Sequence, residues 1–217
     1  MDEELPSEEF RTPERARLAD IRSGWFGVSN IDQQYARVCG YELNDLVPEE
    51  VRIQYDLARN LYLYSFHVFR FSMVAQHHLY TTLEFAIRER YGKETLKEYA
   101  KKNKKQPGLR AYMSYLNEIG AIKNQHFPIW NHRREVNAKQ RRMADAIQEM
   151  RERGLDSMEI SDHVDVEEYD FEYDYVDVIC QTIPSLRNEH AHGSKMLSPG
   201  GEHTFENVAI IINKIYK

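Results

Sequence analysis

Cysteine is nearly missing from this chain. Cys39 and Cys180 are the only two, and neither sits in a Cys-x-x-Cys spacing. Two lone thiols speak for a reducing compartment rather than a disulfide scaffold. Long apolar runs are missing too. The longest, 61–75, is interrupted by His67 and Arg70 and is too short to span a bilayer, so no membrane role is expected. The acidic start Met1-Asp2-Glu3-Glu4-Leu5 does not read as a secretion signal, and a cytoplasmic location is expected. No Gly-rich phosphate loop, no Gly-x-Ser-x-Gly and no His-Glu-x-x-His occurs, and there is no internal repeat or low-complexity tract. Nor is there an excess of positive charge. The formal net charge is −6, so any nucleic-acid binding has to come from a local basic patch.

What is present is an ordinary globular composition. The 217 residues are 41% hydrophobic, 12% aromatic and 29% charged, enough for one full core. The apolar spacing is helical nearly throughout, and an all-α bundle is expected. Residues 1–47 read as a lead-in, with Trp25, Phe26, Val28 and Ile31 as its anchor and a short helix over 33–39. The main domain is expected over 48–217. Pro48-Glu49-Glu50 opens a helix by both its proline and its acids. Val51, Tyr55, Ala58, Tyr62, Phe66, Phe69 and Met73 then form one stripe, and Leu79, Leu83 and Ile87 form a second that ends at Gly92. One helix over 48–91 would be about 65 Å long. A domain of this size is about 45 Å across. A break between Ser65 and Gln76 is therefore expected, although no Pro or Gly marks it. Further helices are expected at 93–102, 109–119 and 128–154, the last with Val136, Met143, Ile147 and Met150 as a thin buried stripe. A final helix, capped by Thr204, should bury Phe205, Val208, Ile212 and Ile215.

The most chemically pointed stretch is Leu186-Arg187-Asn188-Glu189-His190-Ala191-His192-Gly193. Arg offers a fixed cation and a fork of donors that suits phosphate, and His moves protons near neutral pH. Near the C-terminus of a helix the dipole favours a protonated imidazole. Pro184 is expected to kink or restart this helix. Residues five apart on an ideal helix differ by about 140° in direction, so Arg187 and His192 do not share a face. Either the helix unwinds at Gly193, or two copies of the segment meet across a two-fold axis.

Arg187-x4-His192, with Asn188 after the arginine and Ala191-His192-Gly193 closing the run, resembles the signature of the HEPN superfamily of small helical domains, many of them metal-independent ribonucleases. Tyr62-Leu63-Tyr64-Ser65-Phe66, Ala75 and Leu83-Glu84-Phe85-Ala86-Ile87-Arg88-Glu89-Arg90 are similar to the early helices of bacterial HEPN-like proteins. The similarity extends over 48–217. It implies a HEPN-like bundle with added N-terminal and inserted helices, and a homodimer whose Arg187 and His192 pairs share one cleft. There an imidazole takes the proton of an RNA 2′-hydroxyl and the guanidinium stabilises the phosphorane. No cofactor or metal is implied. DNA should resist, lacking the nucleophile. The resemblance further implies a polar residue on an early helix near the motif arginine. Glu84 is the candidate, with Arg88 one turn on as its expected pair. Asn188 and His190 would support the site. A role in phage defence or as a toxin is implied, with an antitoxin or regulatory protein as a further partner. The alternative is a non-catalytic HEPN-like module that binds RNA or protein.

Lys195 and the arginines Arg133, Arg134, Arg141 and Arg142 are the candidate RNA contacts, the latter four as a basic helix face away from the apolar stripe. Lys101-Lys102-Asn103-Lys104-Lys105-Gln106-Pro107-Gly108 is a basic loop without an assigned role. Between 156 and 177 ten acids occur without one Lys or Arg, and this run is expected either to be solvated or to contact the basic helix. The alternation over 169–175 would also suit a strand, but a loop leading into the motif helix is preferred. His67, His77, His78, His190, His192 and His203 match no zinc spacing.

Overall fold

The computed structural model describes residues 10–159, 165–167, 170, 174–192 and 201–217. Its described residues are helical, with no strand among them: α1 (Ile21–Trp25), α2 (Ile31–Ala36), α3 (Glu49–Tyr64), α4 (Phe71–Tyr91), α5 (Lys93–Lys102), α6 (Leu109–Glu118), α7 (Pro128–Arg153), α8 (Tyr175–Ala191) and α9 (Glu202–Ile215). The fold is all-α, as the periodicity implies. Among the described residues no helix is long and apolar enough to cross a membrane. The alternation over 169–175, together with Gly193 and Lys195, lies largely or wholly outside the described residues.

The chain divides into two compact units, Met1–Ala121 with Cys180–Lys217, and Ile122–Ile179. In the first, α3 and α4 pack together and α9 packs on α4. Tyr55, Tyr62, Leu79, Leu83, Ile87 and Phe205 are fully buried there. The Phe205 ring meets Tyr62 at 5.4 Å and Tyr55 at 6.0 Å. Burying each such side chain contributes roughly 1.5–3 kcal/mol. The buried Tyr55 hydroxyl donates to the carbonyls of Tyr41 (2.9 Å) and Phe205 (3.3 Å). Burial pushes its pKa well above the usual phenol value. Gly201 lies so close to the Tyr62 ring that a Cβ there would sit 2.5 Å from Cε2, which leaves room for no side chain at the entry to α9. That helix is capped at Gly201 rather than at Thr204, which lies within its first turn.

The expected break falls at 65–70, and tertiary contacts make it. A helix end leaves carbonyls without intrahelical partners. Here the N-terminal segment supplies donors. Gln34 donates to the Tyr62 carbonyl (2.8 Å) and to Ser65 Oγ (2.8 Å). The Asp20 N–H (2.9 Å) and Ser23 Oγ (3.2 Å) both reach the Phe66 carbonyl. Asp20 in turn accepts from the Phe69 N–H (3.3 Å) and from Arg22 (2.7 and 2.8 Å). Burial pushes the Asp20 carboxyl up, but the Arg22 hydrogen bonds outweigh it and hold the pKa below its usual value. The anchor of the lead-in is thus Asp20, Arg22, Ser23 and Val28, all buried, with Phe26 stacked on Phe69 at 5.3 Å. Trp25 and Ile31, expected in that role, are half-exposed or partly covered.

The second unit runs from Ile122 through a 3-10 turn (Asn124–His126) and α7 to the start of α8. Phe127 is buried edge-on against Tyr175 at 5.2 Å. Asn124 Oδ1 accepts from the Val176 N–H (2.8 Å), and Asp174 accepts from the Asp177 N–H (3.1 Å), so side chains serve the free donors at the α8 start. Gly154 ends α7 at φ 61°, a left-handed position that glycine takes without cost. The expected stripe of α7 is overturned. Met143 and Ile147 are 56% and 46% exposed, and the buried residues are Ala138 and Ala146. On the same helix Arg141 and Asn137 both hold Asp170.

Candidate functional site

The motif lies on α8. The helix runs through Pro184 rather than restarting there. Pro184 removes one backbone donor, and the Ser185 hydroxyl adds a bond to the Gln181 carbonyl (2.8 Å). The helical hydrogen-bond pattern continues to His192, whose N–H donates to the Asn188 carbonyl at 3.1 Å. The backbone therefore does not unwind between Arg187 and His192, and the two side chains leave the helix about 140° apart.

Residues three apart on a helix share a side, and Arg187 and His190 both turn towards α4. There they meet Glu84 and Tyr80, themselves one turn apart. Arg187 Nη2 lies 3.5 Å from Glu84 Oε2, so the early-helix carboxylate sits against the motif arginine and not against Arg88. Arg187 Nη1 donates weakly to Asn188 Oδ1 at 3.4 Å. Its Nε–H is buried and has no acceptor among the described residues. The His190 ring stacks on Tyr80 at 6.2 Å. Burial pushes the His190 pKa down, Glu189 pulls it up and His77 pushes it further down, with a net lowering. His190 thus packs on Tyr80, and its burial disfavours the protonated ring. His192 is exposed.

Beside Arg187 opens a groove of about 450 Å³. Its walls are Glu84 of α4, residues 105–111 at the start of α6, and Pro184, Arg187 and Asn188 of α8. His192 does not line it. A second hollow of about 350 Å³ surrounds Arg59, whose guanidinium is already taken by Asp56 (3.0 Å) and the Cys39 carbonyl (2.9 Å). The remaining sequence candidates lie on α7. Arg134 stacks over Trp130 at 4.7 Å, Arg141 is held by Asp170, Arg133 is exposed, and Arg142 is partly covered.

No family model, no curated protein and no solved structure matches this chain. The site therefore rests on its own chemistry. Three parts of it had no assigned role in the sequence: Tyr80, Lys105 and Arg110. Arg110 donates to Ser185 Oγ at 2.9 Å, tying the α6 start to α8. Tyr80 carried a signal, its i,i+4 spacing to Glu84. The loop holding Lys105 carried only its charge.

Proposed function

We propose that the protein is a metal-independent endoribonuclease that cuts RNA with Arg187 and His192 in a site completed by a second copy of the chain. The observation that carries this reading is the open pairing of Arg187 with Glu84 at a groove wall, with Asn188 alongside and His192 exposed on the following turn. The guanidinium keeps donors for a phosphate, and the imidazole is accessible to a strand. In the reaction an imidazole takes the 2′-hydroxyl proton while O2′ attacks the adjacent phosphorus. The guanidinium stabilises the added negative charge. The bond to O5′ then breaks, and O5′ takes a proton from a protonated imidazole. The products are a 2′,3′-cyclic phosphate and a 5′-hydroxyl. Because α8 stays helical to His192, one chain splays the two groups, and a homodimer is the simplest way to converge them. An RNA-cutting enzyme of this type in phage defence or as a toxin would need an antitoxin or regulator.

The test is cleavage of a labelled structured RNA and its DNA counterpart in EDTA, by wild type and by His192→Ala. The expected outcome is RNA-only cleavage ending in cyclic phosphate, reduced at least about 100-fold in the variant. Failure to cut any of several RNAs, by folded dimeric protein, would sink the enzyme. It would leave the alternative, a non-catalytic module that binds RNA or protein.

A further inference from the structure

The basic loop ahead of α6 has no part in the chemistry above, yet the fold carries it to the motif arginine. Lys105 and Arg110 line the same groove as Arg187, from positions more than seventy residues away in the chain. The groove walls hold these three cations against one carboxylate, Glu84, in a protein whose formal net charge is −6. Both Lys105 and Arg110 are exposed. Arg110 is steadied by its bond to Ser185 Oγ (2.9 Å), so its guanidinium is held at the α8 side of the groove with further donors to spare. Lys101 and Lys102, which close α5 rather than belonging to the loop, and Lys104 add further positive charge just upstream in the chain.

The backbone adds to the side chains. Gly108 is the N-cap of α6 and no side chain caps this helix, so the first N–H groups of a ten-residue helix start at the groove wall. A helix start attracts negative charge. Arg187 lines the groove with a guanidinium whose contact to Glu84 is long, at 3.5 Å. Cations on two sides, free backbone donors and an open cleft are together suited to a phosphodiester and poorly suited to a neutral ligand.

We propose that the groove formed by Lys105, the α6 start, Arg110 and Arg187 is a backbone-phosphate subsite that holds the strand beside the scissile bond. This rests on the ribonuclease reading for the identity of the strand. The subsite reads phosphate alone, so it holds RNA and DNA alike, and discrimination stays with the 2′-hydroxyl at His192.

The experiment is fluorescence anisotropy with a short labelled single-stranded RNA and a DNA of the same sequence, in the His192→Ala background so that nothing is cut. Lys105→Glu/Arg110→Glu is compared with a control of equal charge change, Lys93→Glu/Lys123→Glu, at about 50 to 200 mM KCl. The groove variant should bind both strands at least about 10-fold more weakly, with a salt slope shallower by about 1–2, and the control should bind nearly as the parent does. A groove variant that binds like the control overturns the subsite, as does a parent that binds neither strand at the lowest salt. The nuclease reading fails separately: wild type that binds through the groove but cuts no RNA leaves the subsite standing and removes the enzyme.

Discussion

Arg141 and Arg187 each meet a carboxylate, and they do so in opposite ways. Arg141 grips Asp170 with both ends of its fork, at 2.8 and 2.9 Å, and gives a further bond to the Asp165 carbonyl at 3.0 Å. The Asp170 side chain is only 2% exposed. Arg187 touches Glu84 with one nitrogen at 3.5 Å, beyond a good hydrogen bond, and both side chains keep more exposure, 34% and 17%. A guanidinium whose donors are spent inside the fold closes a loop against a helix. One whose donors are left free can still bind something else. The difference separates two arginines that look equally suited to phosphate in the sequence, and it assigns Arg141 to structure and Arg187 to the groove.

The largest effect should come from exchanging the fork for a point charge at each arginine. Arg187→Lys keeps the charge but loses the planar donors. It should reduce RNA cleavage about 10²–10³-fold while the thermal midpoint stays close to wild type. Arg141→Lys should do the reverse, lowering the midpoint by several degrees with cleavage per folded molecule nearly unchanged. Initial cleavage rates and thermal melts on the two proteins check this. Loss of activity at Arg141 with no loss of stability would erase the distinction.

Legibility followed the range of the interactions. Helix starts at Pro48 and Pro128 and stops at Gly92 and Gly154 are local backbone effects, and they were readable in the sequence. The break at 65–70 needed Gln34, Ser23 and Asp20, and its place was bounded only by the length of the stripe. The buried side of α7 was misread because Met143 and Ile147 follow the apolar period. The residues that are buried there are two alanines, and the helix is tied to Asp170 by an ion pair, neither of which an apolar period registers. At the site, Arg187 and Asn188 are neighbours in the chain and were evident. Glu84 was suggested by resemblance. The meeting of Lys105 and Arg110 with Arg187 is a property of the packing of α6 and α8, and no local pattern encodes it.

Acid should separate the closed pair from the surroundings of the open one. Asp170 is held below its ordinary pKa, chiefly by the Arg141 hydrogen bonds, with burial opposing them. A depressed carboxyl contributes stability that is fully present above the unfolded pKa, about 3.9, and is lost as pH falls through the folded value. His190 is also depressed, mainly by burial. For an imidazole this means the folded state resists protonation, so stability is greatest above about 6.5 and declines as pH drops below it. Two limbs are expected in urea midpoints measured against pH. His190→Gln should flatten the one that starts near 6.5, and Arg141→Ala should flatten part of the one below about 4, where Asp20 also contributes. A single limb untouched by either change would contradict both assignments.

The smallest effect tests how lightly Glu84 holds Arg187. A partly exposed ion pair as long as this one contributes about 1 kcal/mol. Glu84→Gln should therefore shift stability by less than that, and the amide can still accept from the guanidinium. Its consequence for binding has the opposite sign. Removing the one carboxylate among the charged groups of the groove lifts the local potential and frees the fork, so a labelled RNA should bind about 2- to 5-fold more tightly at low salt, with the gain shrinking as salt rises. Cleavage need not follow, because Glu84 also orients Arg187, and a guanidinium that binds phosphate better but is less well aimed lowers the rate while raising affinity. A Glu84→Gln protein with weaker binding and a large loss of stability would mean that the Arg187 pair is as closed as the Arg141 pair, and the groove would be left with Lys105 and Arg110 alone.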